Sequence, residues 1–308
     1  MKSFLAILSA ALITASVAQI PGLGGPKLPD VGLESVFKKG PAITTNLKDA
    51  KWEITDKDSF NPETTSFKTL ARGPKGGFIV KEGAFGAEVQ SYCLHAGTHG
   101  PGKGEAYLYA PPKGPYEKAV VAVVENSVSK PEIAQRDIQQ LLWAMMARTK
   151  FTDLSSNLQN VASQLLTKKL IADINGGAMG FITDELMERG LIKQPPLVRQ
   201  VLEAENNLRR ALTMPNTTFD DLERIAVLTG DIPLGPGSRN SPSGRWSQHP
   251  DGYFVRYMPS GYYRTRLEIY VPKDSPMIGK EFNPATQIAV PANTARQRLL
   301  QSARFYEE

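Results

Sequence analysis

The residues able to do chemistry cluster around one thiol. Cys93 is the only cysteine in the 308 residues, so no disulfide can form within the chain. His95 follows it by two positions and His99 by six, on a glycine-rich stretch that runs to Gly104. Further on, Gln135, Gln139 and Trp143 stand at i, i+4 and i+8, one narrow stripe on a helix. Three chemistries compete for the thiol. Free cysteine is among the most buried residue types, and a buried structural thiol is inert, which would leave a structural cell-envelope protein. On a strand Cys93 and His95 share a face, and His95 or His99 as a base would make Cys93 the nucleophile of a cysteine-dependent hydrolase or transferase. The third partner is Gln139. A thiol that attacks its carboxamide releases ammonia and leaves an internal thioester, which Trp143, one turn away, would shield from water. An incoming amine or hydroxyl would then take the Gln139 acyl group and free Cys93. A metal site of Cys93, His95 and His99 lacks a fourth ligand, so no metal and no cofactor is expected.

Tyr92-Cys93, followed by Ile138-Gln139-Gln140-Leu141-Leu142-Trp143, resembles the thioester domains of bacterial surface adhesins. Those domains carry an aromatic-Cys motif and a later φ-Gln-x-φ-φ-Trp motif, form a Cys–Gln thioester and attach covalently to host proteins. The resemblance implies that Cys93 is the thiol, Gln139 the acyl donor and Trp143 part of the shield. It also implies binding and adhesion in place of turnover.

The flanking sequence says where such a site would work. Met1-Lys2, an apolar run from Phe4 to Val17 and the small residues Ser16-Val17-Ala18 read as a secretory signal peptide, residues 1–18, cleaved after Ala18. No later stretch approaches the roughly 18 apolar residues that a membrane span needs, so no transmembrane segment is expected in the mature chain. The expected location is secreted, periplasmic or cell-surface. A formal charge of +5 is spread without Lys/Arg runs, which argues against nucleic acid as a partner. A protein or glycan at a cell surface or envelope is expected instead.

Residues 19–50 are dense in proline and glycine and read as an N-terminal spacer. Residues 51–230 read as an α+β domain. Ala87–Leu94 alternates and places Cys93 on a strand, and Tyr107-Leu108-Tyr109 forms another. Helices are expected at Tyr116–Val128, at 155–173, 182–189, 195–213 and 218–229, the last capped by Thr217 or Thr218 and stopped by Gly230. The helix that carries Gln139 and Trp143 is expected to start at a capping box, Ser129 with Glu132, and to run to about Arg148. Residues 231–244, again rich in proline and glycine, read as a linker. Residues 245–308 read as a C-terminal unit with a hairpin, Tyr253–Val271, turning at Pro259-Ser-Gly261, and a helical piece at Thr294–Arg304. The hairpin is rich in aromatics (Trp246, Tyr253, Tyr257, Tyr262, Tyr263, Tyr270), which strands ordinarily bury. The expected class is α+β: a short β layer carrying Cys93 packed on a multi-helix layer, followed by a small β-rich C-terminal unit.

Overall fold

Alternating side chains build the strands, and the strands close on themselves. In Tyr253–Pro259 the side chains of Tyr253, Val255 and Tyr257 are buried, and in Arg264–Val271 those of Thr265, Leu267, Ile269 and Val271. The period of two gives each strand an apolar face, and β-branched and aromatic residues fill it. Gly261 turns the hairpin with φ +97°, a conformation that costs glycine nothing.

The computed structural model describes residues 40–102, 104–179 and 194–306. The expected leader, most of the spacer and the helix expected at 182–189 lie outside these residues. Six strands form the centre: β1 (Gly83–Cys93), β2 (Tyr107–Ala110), β3 (Tyr253–Pro259), β4 (Arg264–Val271), β5 (Ile288–Pro291) and β6 (Leu299–Phe305). Their order is β1-β6-β5-β2-β3-β4, and β4 pairs back to β1, which closes an antiparallel barrel. The β1–β4 register runs from Gly83 opposite Val271 to Gln90 opposite Arg264. The seam between β2 and β3 is a single pair, Tyr107 opposite Tyr257.

Closure corrects the expected α+β arrangement of a short β layer on a helix layer with a separate β-rich C-terminal unit. Four of the six barrel strands come from residues 253–305, and they flank β1 and β2 on both sides. Residues 231–244 therefore join two halves of one barrel. Arg239 ties this segment down by donating to the carbonyls of Ala50 and Leu47. The segment Thr294–Arg304 is strand over most of its length and not helix. Leu299, Leu300 and Ala303 have helical spacing, but pairing with β1 and β5 overrides local preference.

Six helices lie among the described residues: α1 (Glu117–Ser127), α2 (Gln135–Met146), α3 (Ser156–Leu165), α4 (Lys168–Gly177), α5 (Pro196–Ala211) and α6 (Phe219–Ala226). The stretch expected as one helix at 155–173 is thus two, with Thr167 capping the second. α2 is the hub. It packs against β1 and against α1, α3, α5 and α6. Its sequence fits that position, since every residue from Leu141 to Met146 is buried. The expected capping box does not form. Ser129 donates instead to the Asn126 carbonyl at the end of α1, and α2 starts at Gln135 after Ala134 without a side-chain cap. The capping box does form at α6, where Thr218 and Asp221 bond reciprocally. That helix ends at Ala226, because Val227 and Leu228 pair with Thr98 and His99 before Gly230 is reached.

Residues 40–50 are core and not spacer: Ala42, Ile43, Leu47 and Ala50 are buried, and Asn46 caps a short turn at Leu47–Asp49. None of the described helices is long and apolar enough to cross a membrane.

Candidate functional site

Where β1 meets α2, a strand is missing. The hairpin turns away after Arg264, so β4 covers β1 only as far as Gln90, with one more bond from Ser91 N–H to the Tyr263 carbonyl at 3.0 Å. Beyond that point no strand among the described residues lies beside this edge of β1. Two glutamines of α2 take its place. Gln135 Nε2 donates to the carbonyls of Tyr263 at 2.7 Å and Ser91 at 3.2 Å. Gln139 pairs with both backbone groups of one residue: Cys93 N–H donates to Gln139 Oε1 at 2.8 Å, and Gln139 Nε2 donates to the Cys93 carbonyl at 3.2 Å. Spacing of i, i+4 on a helix matches every second residue of the strand, which is why the stripe can dock along the edge.

The structure thus brings Cys93 and Gln139 together, with Trp143 one turn further along α2. Cys93 is fully buried, Gln139 is 2 % exposed and Trp143 is fully buried. The Trp143 ring lies 5.3 Å from Phe219 and 6.3 Å from Tyr262, centroid to centroid, and its buried Nε1 has no hydrogen-bond partner among the described residues. Burial pushes the Cys93 thiol well up, and the negative charge of Glu223 pushes it in the same direction. The sulfur is held as a neutral thiol.

Beside this cluster lies a cavity of about 350 Å³, walled by Ser91, Gln135, Arg136 and Gln139, by Phe219 and Glu223 of α6, and by Tyr262, Tyr263 and Tyr306. Tyr262 Oη donates to Glu223 in a short bond. The Arg136 guanidinium stands 4.9 Å over the Phe219 ring, and Tyr263 packs against Tyr306 at 5.7 Å. Phe219, Glu223, Tyr262, Tyr263 and Tyr306 were not legible as site residues. Tyr262 and Tyr263 carry the only available signal, an aromatic pair in a turn, where strand burial is no explanation.

The histidines are placed elsewhere. Among the described residues no hydrogen bond joins the Cys93 sulfur to an imidazole, and His95 Nδ1 and His99 Nδ1 are both buried without partners. Strand β1 ends at Cys93, so the face shared along a strand does not carry on to His95. Burial pushes the His95 imidazole well down, and the Arg298 cation adds to this. His99 is pushed down by burial and by Arg296. A neutral imidazole and a neutral thiol do not form the ion pair on which Cys–His nucleophiles rely. No group of three or more metal-ligating side chains occurs among the described residues.

His95 instead faces a second cavity, of about 460 Å³, with Glu205, Arg148, Arg209 and Arg298 on its walls. Burial pushes the Glu205 carboxyl from 4.5 up to about 7, although Arg209, Arg148 and Arg298 each pull it down. The native state therefore holds the proton more tightly than the unfolded chain does. Stability from this group is fully present below about pH 4.5 and is lost as pH rises through about 7. The melting temperature of the wild type, compared with Glu205→Gln, is expected to fall across that window. Parallel curves for the two would show that the carboxyl titrates normally.

Comparisons of this chain with protein-family models, with curated proteins and with solved structures find no match.

Proposed function

We propose that this protein is an exported binding protein that uses an internal Cys93–Gln139 thioester to attach covalently to a protein or glycan at a cell surface. The observation that carries the reading is the pair of hydrogen bonds fixing the Gln139 carboxamide on the backbone of Cys93, at 2.8 and 3.2 Å, inside a buried cluster. Three features support it. The donor–acceptor match puts the acyl carbon beside the residue that bears the sulfur. The Cys93 N–H points at Oε1, where it polarises the carbonyl and can hold the negative charge that develops there on attack, as an oxyanion donor does. Trp143, fully buried one turn along α2, packs on Phe219 and Tyr262, two residues that line the cavity at Gln139, and that cavity gives an incoming nucleophile a way in.

In forming the bond, the Cys93 sulfur attacks the Gln139 amide carbon, the C–N bond breaks and ammonia leaves with the thiol proton. The Cys93 N–H bond to the carbonyl oxygen survives this exchange, and the Nε2 bond is lost with the ammonia. In opening it, an amine or hydroxyl forms the new bond to the Gln139 carbonyl, and the sulfur is released as the Cys93 thiol.

Intact mass of the purified chain tests the reading. A thioester predicts a deficit of about 17 Da, the mass of the ammonia released on covalent bond formation. The deficit is expected to be replaced by a methylamine adduct on incubation with methylamine, and to be absent from Cys93→Ala and Gln139→Ala. The same two glutamine bonds would also suit a residue that merely completes the β1 edge. A full mass, with a thiol that titrates once per unfolded chain, would leave Cys93 as an inert core residue and sink the proposal.

A further inference from the structure

Glu223 has no part in forming the thioester as just described, yet among the described residues it is the only carboxylate on the wall of the cavity that opens at Gln139. We propose, resting on the thioester reading, that Glu223 is the proton acceptor for the nucleophile that opens the thioester, and that Tyr262 positions its carboxylate. Glu223 stands on α6, one turn beyond Phe219, and both side chains line the same cavity as Gln139. Tyr262 Oη donates to one carboxylate oxygen, Oε1, which fixes the group and leaves the other oxygen to accept. The tyrosine itself is anchored, because its backbone carbonyl accepts from Ser91 Oγ at 2.9 Å on the strand that carries Cys93. Of the other described lining residues, Phe219, Tyr263 and Tyr306 are aromatic, and Ser91 and Gln135 bear neutral polar groups. Arg136, the one cation among the described lining residues, stands over the Phe219 ring.

The electrostatics give the carboxylate a second effect. Burial first, and the charge of Glu223 second, disfavour a Cys93 thiolate. When an incoming ammonium gives its first proton to Glu223, the charge that opposes sulfur departure is removed in the same step. The freed amine forms a C–N bond to the Gln139 carbonyl carbon, and the C–S bond breaks. The second nitrogen proton goes to the Cys93 sulfur, and the proton on Glu223 passes to solvent. The products are a secondary amide, a thiol and one released proton, so atoms and charge balance.

The experiment follows methylamine capture by intact mass in the full chain and in Glu223→Gln. The variant is expected to keep the mass deficit, because bond formation does not use the carboxylate. It is expected to capture methylamine about 10² to 10⁴ times more slowly, the usual contribution of a positioned general base. Glu223→Asp should recover part of the rate, and Tyr262→Phe should slow capture while keeping the deficit. A Glu223→Gln chain that keeps the deficit and captures at the wild-type rate overturns the proposal and leaves the thioester standing. Loss of the deficit in Glu223→Gln alone also overturns it, by placing the carboxylate in bond formation. A wild-type chain without the deficit overturns both readings. If Glu223→Gln does not fold, Tyr262→Phe decides, and a wild-type capture rate in that variant counts against the proposal.

Discussion

Trp143→Ala is expected to lower the stability of the chain by about 3–5 kcal/mol, the range for removing a large aromatic from a core. The residue is fully buried on the central helix α2, with Phe219 and Tyr262 against its ring. Neither neighbour can fill the gap easily. Phe219 sits in the first turn of the capped helix α6, and Tyr262 is held by Glu223 and by Ser91. Chemical denaturation measures the loss through the midpoint, and an unchanged slope would show that the unfolded state is not the cause. The void would also lie one turn from Gln139, so the mass deficit expected of a thioester should be lost to hydrolysis in Trp143→Ala. Trp143→Phe keeps a ring in the site and should retain more of both. A loss below about 1 kcal/mol, the range of an ordinary substitution, would show that this residue does not organise the core around α2.

Glu268→Ala is expected to cost a similar amount, about 3–5 kcal/mol, for an electrostatic reason. Glu268 on β4 stands opposite Arg256 on β3, and the two are bonded at 2.7 and 2.8 Å with side chains only 8 % and 9 % exposed. Its second oxygen accepts from Arg266 at 2.9 Å. Removing the carboxylate leaves the Arg256 cation in the wall of the barrel, 4.4 Å over the Trp246 ring and with Asn61 Oδ1 at 2.7 Å as its remaining strong acceptor. Removing both charges together, in Arg256→Met with Glu268→Leu, should recover most of the loss, because the penalty comes from the unpaired ion. Thermal or denaturant unfolding of Arg256→Met, Glu268→Leu and the double variant closes the cycle. Strict additivity would mean that the pair is not coupled.

How far the sequence leads depends on what each signal measures. The strand holding Cys93, the hairpin at 253–271 and the helices α1, α5 and α6 are legible because their periodicity is local and strong. The Gln139–Trp143 stripe is legible for the same reason, and it places the right face of α2 against β1. Closure is not legible. It depends on β6 lying between β1 and β5, and Leu299–Phe305 on its own has the spacing of a short helix. The false capping box at Ser129 shows a related limit, since that hydroxyl had a carbonyl of the preceding helix within reach. In the site, Cys93 and Gln139 announce themselves by type and spacing. Glu223 does not, because an acid on an exposed-looking helix becomes a site residue only when Tyr262, 39 positions away, folds back onto it.

The closed ring also has a consequence in time. Both barrel neighbours of the cysteine strand, β4 and β6, come from the last part of the chain, so the pairs around Cys93 join residues far apart in sequence. Such pairing is slow, and it cannot begin while the C-terminal strands are still being made. Until then the thiol is uncovered, and afterwards it is sealed. The ring therefore acts as a clock for the thiol: any reaction that needs a dry cysteine waits for the whole chain, and a nascent or truncated chain presents a sulfur that ordinary thiol reagents can reach.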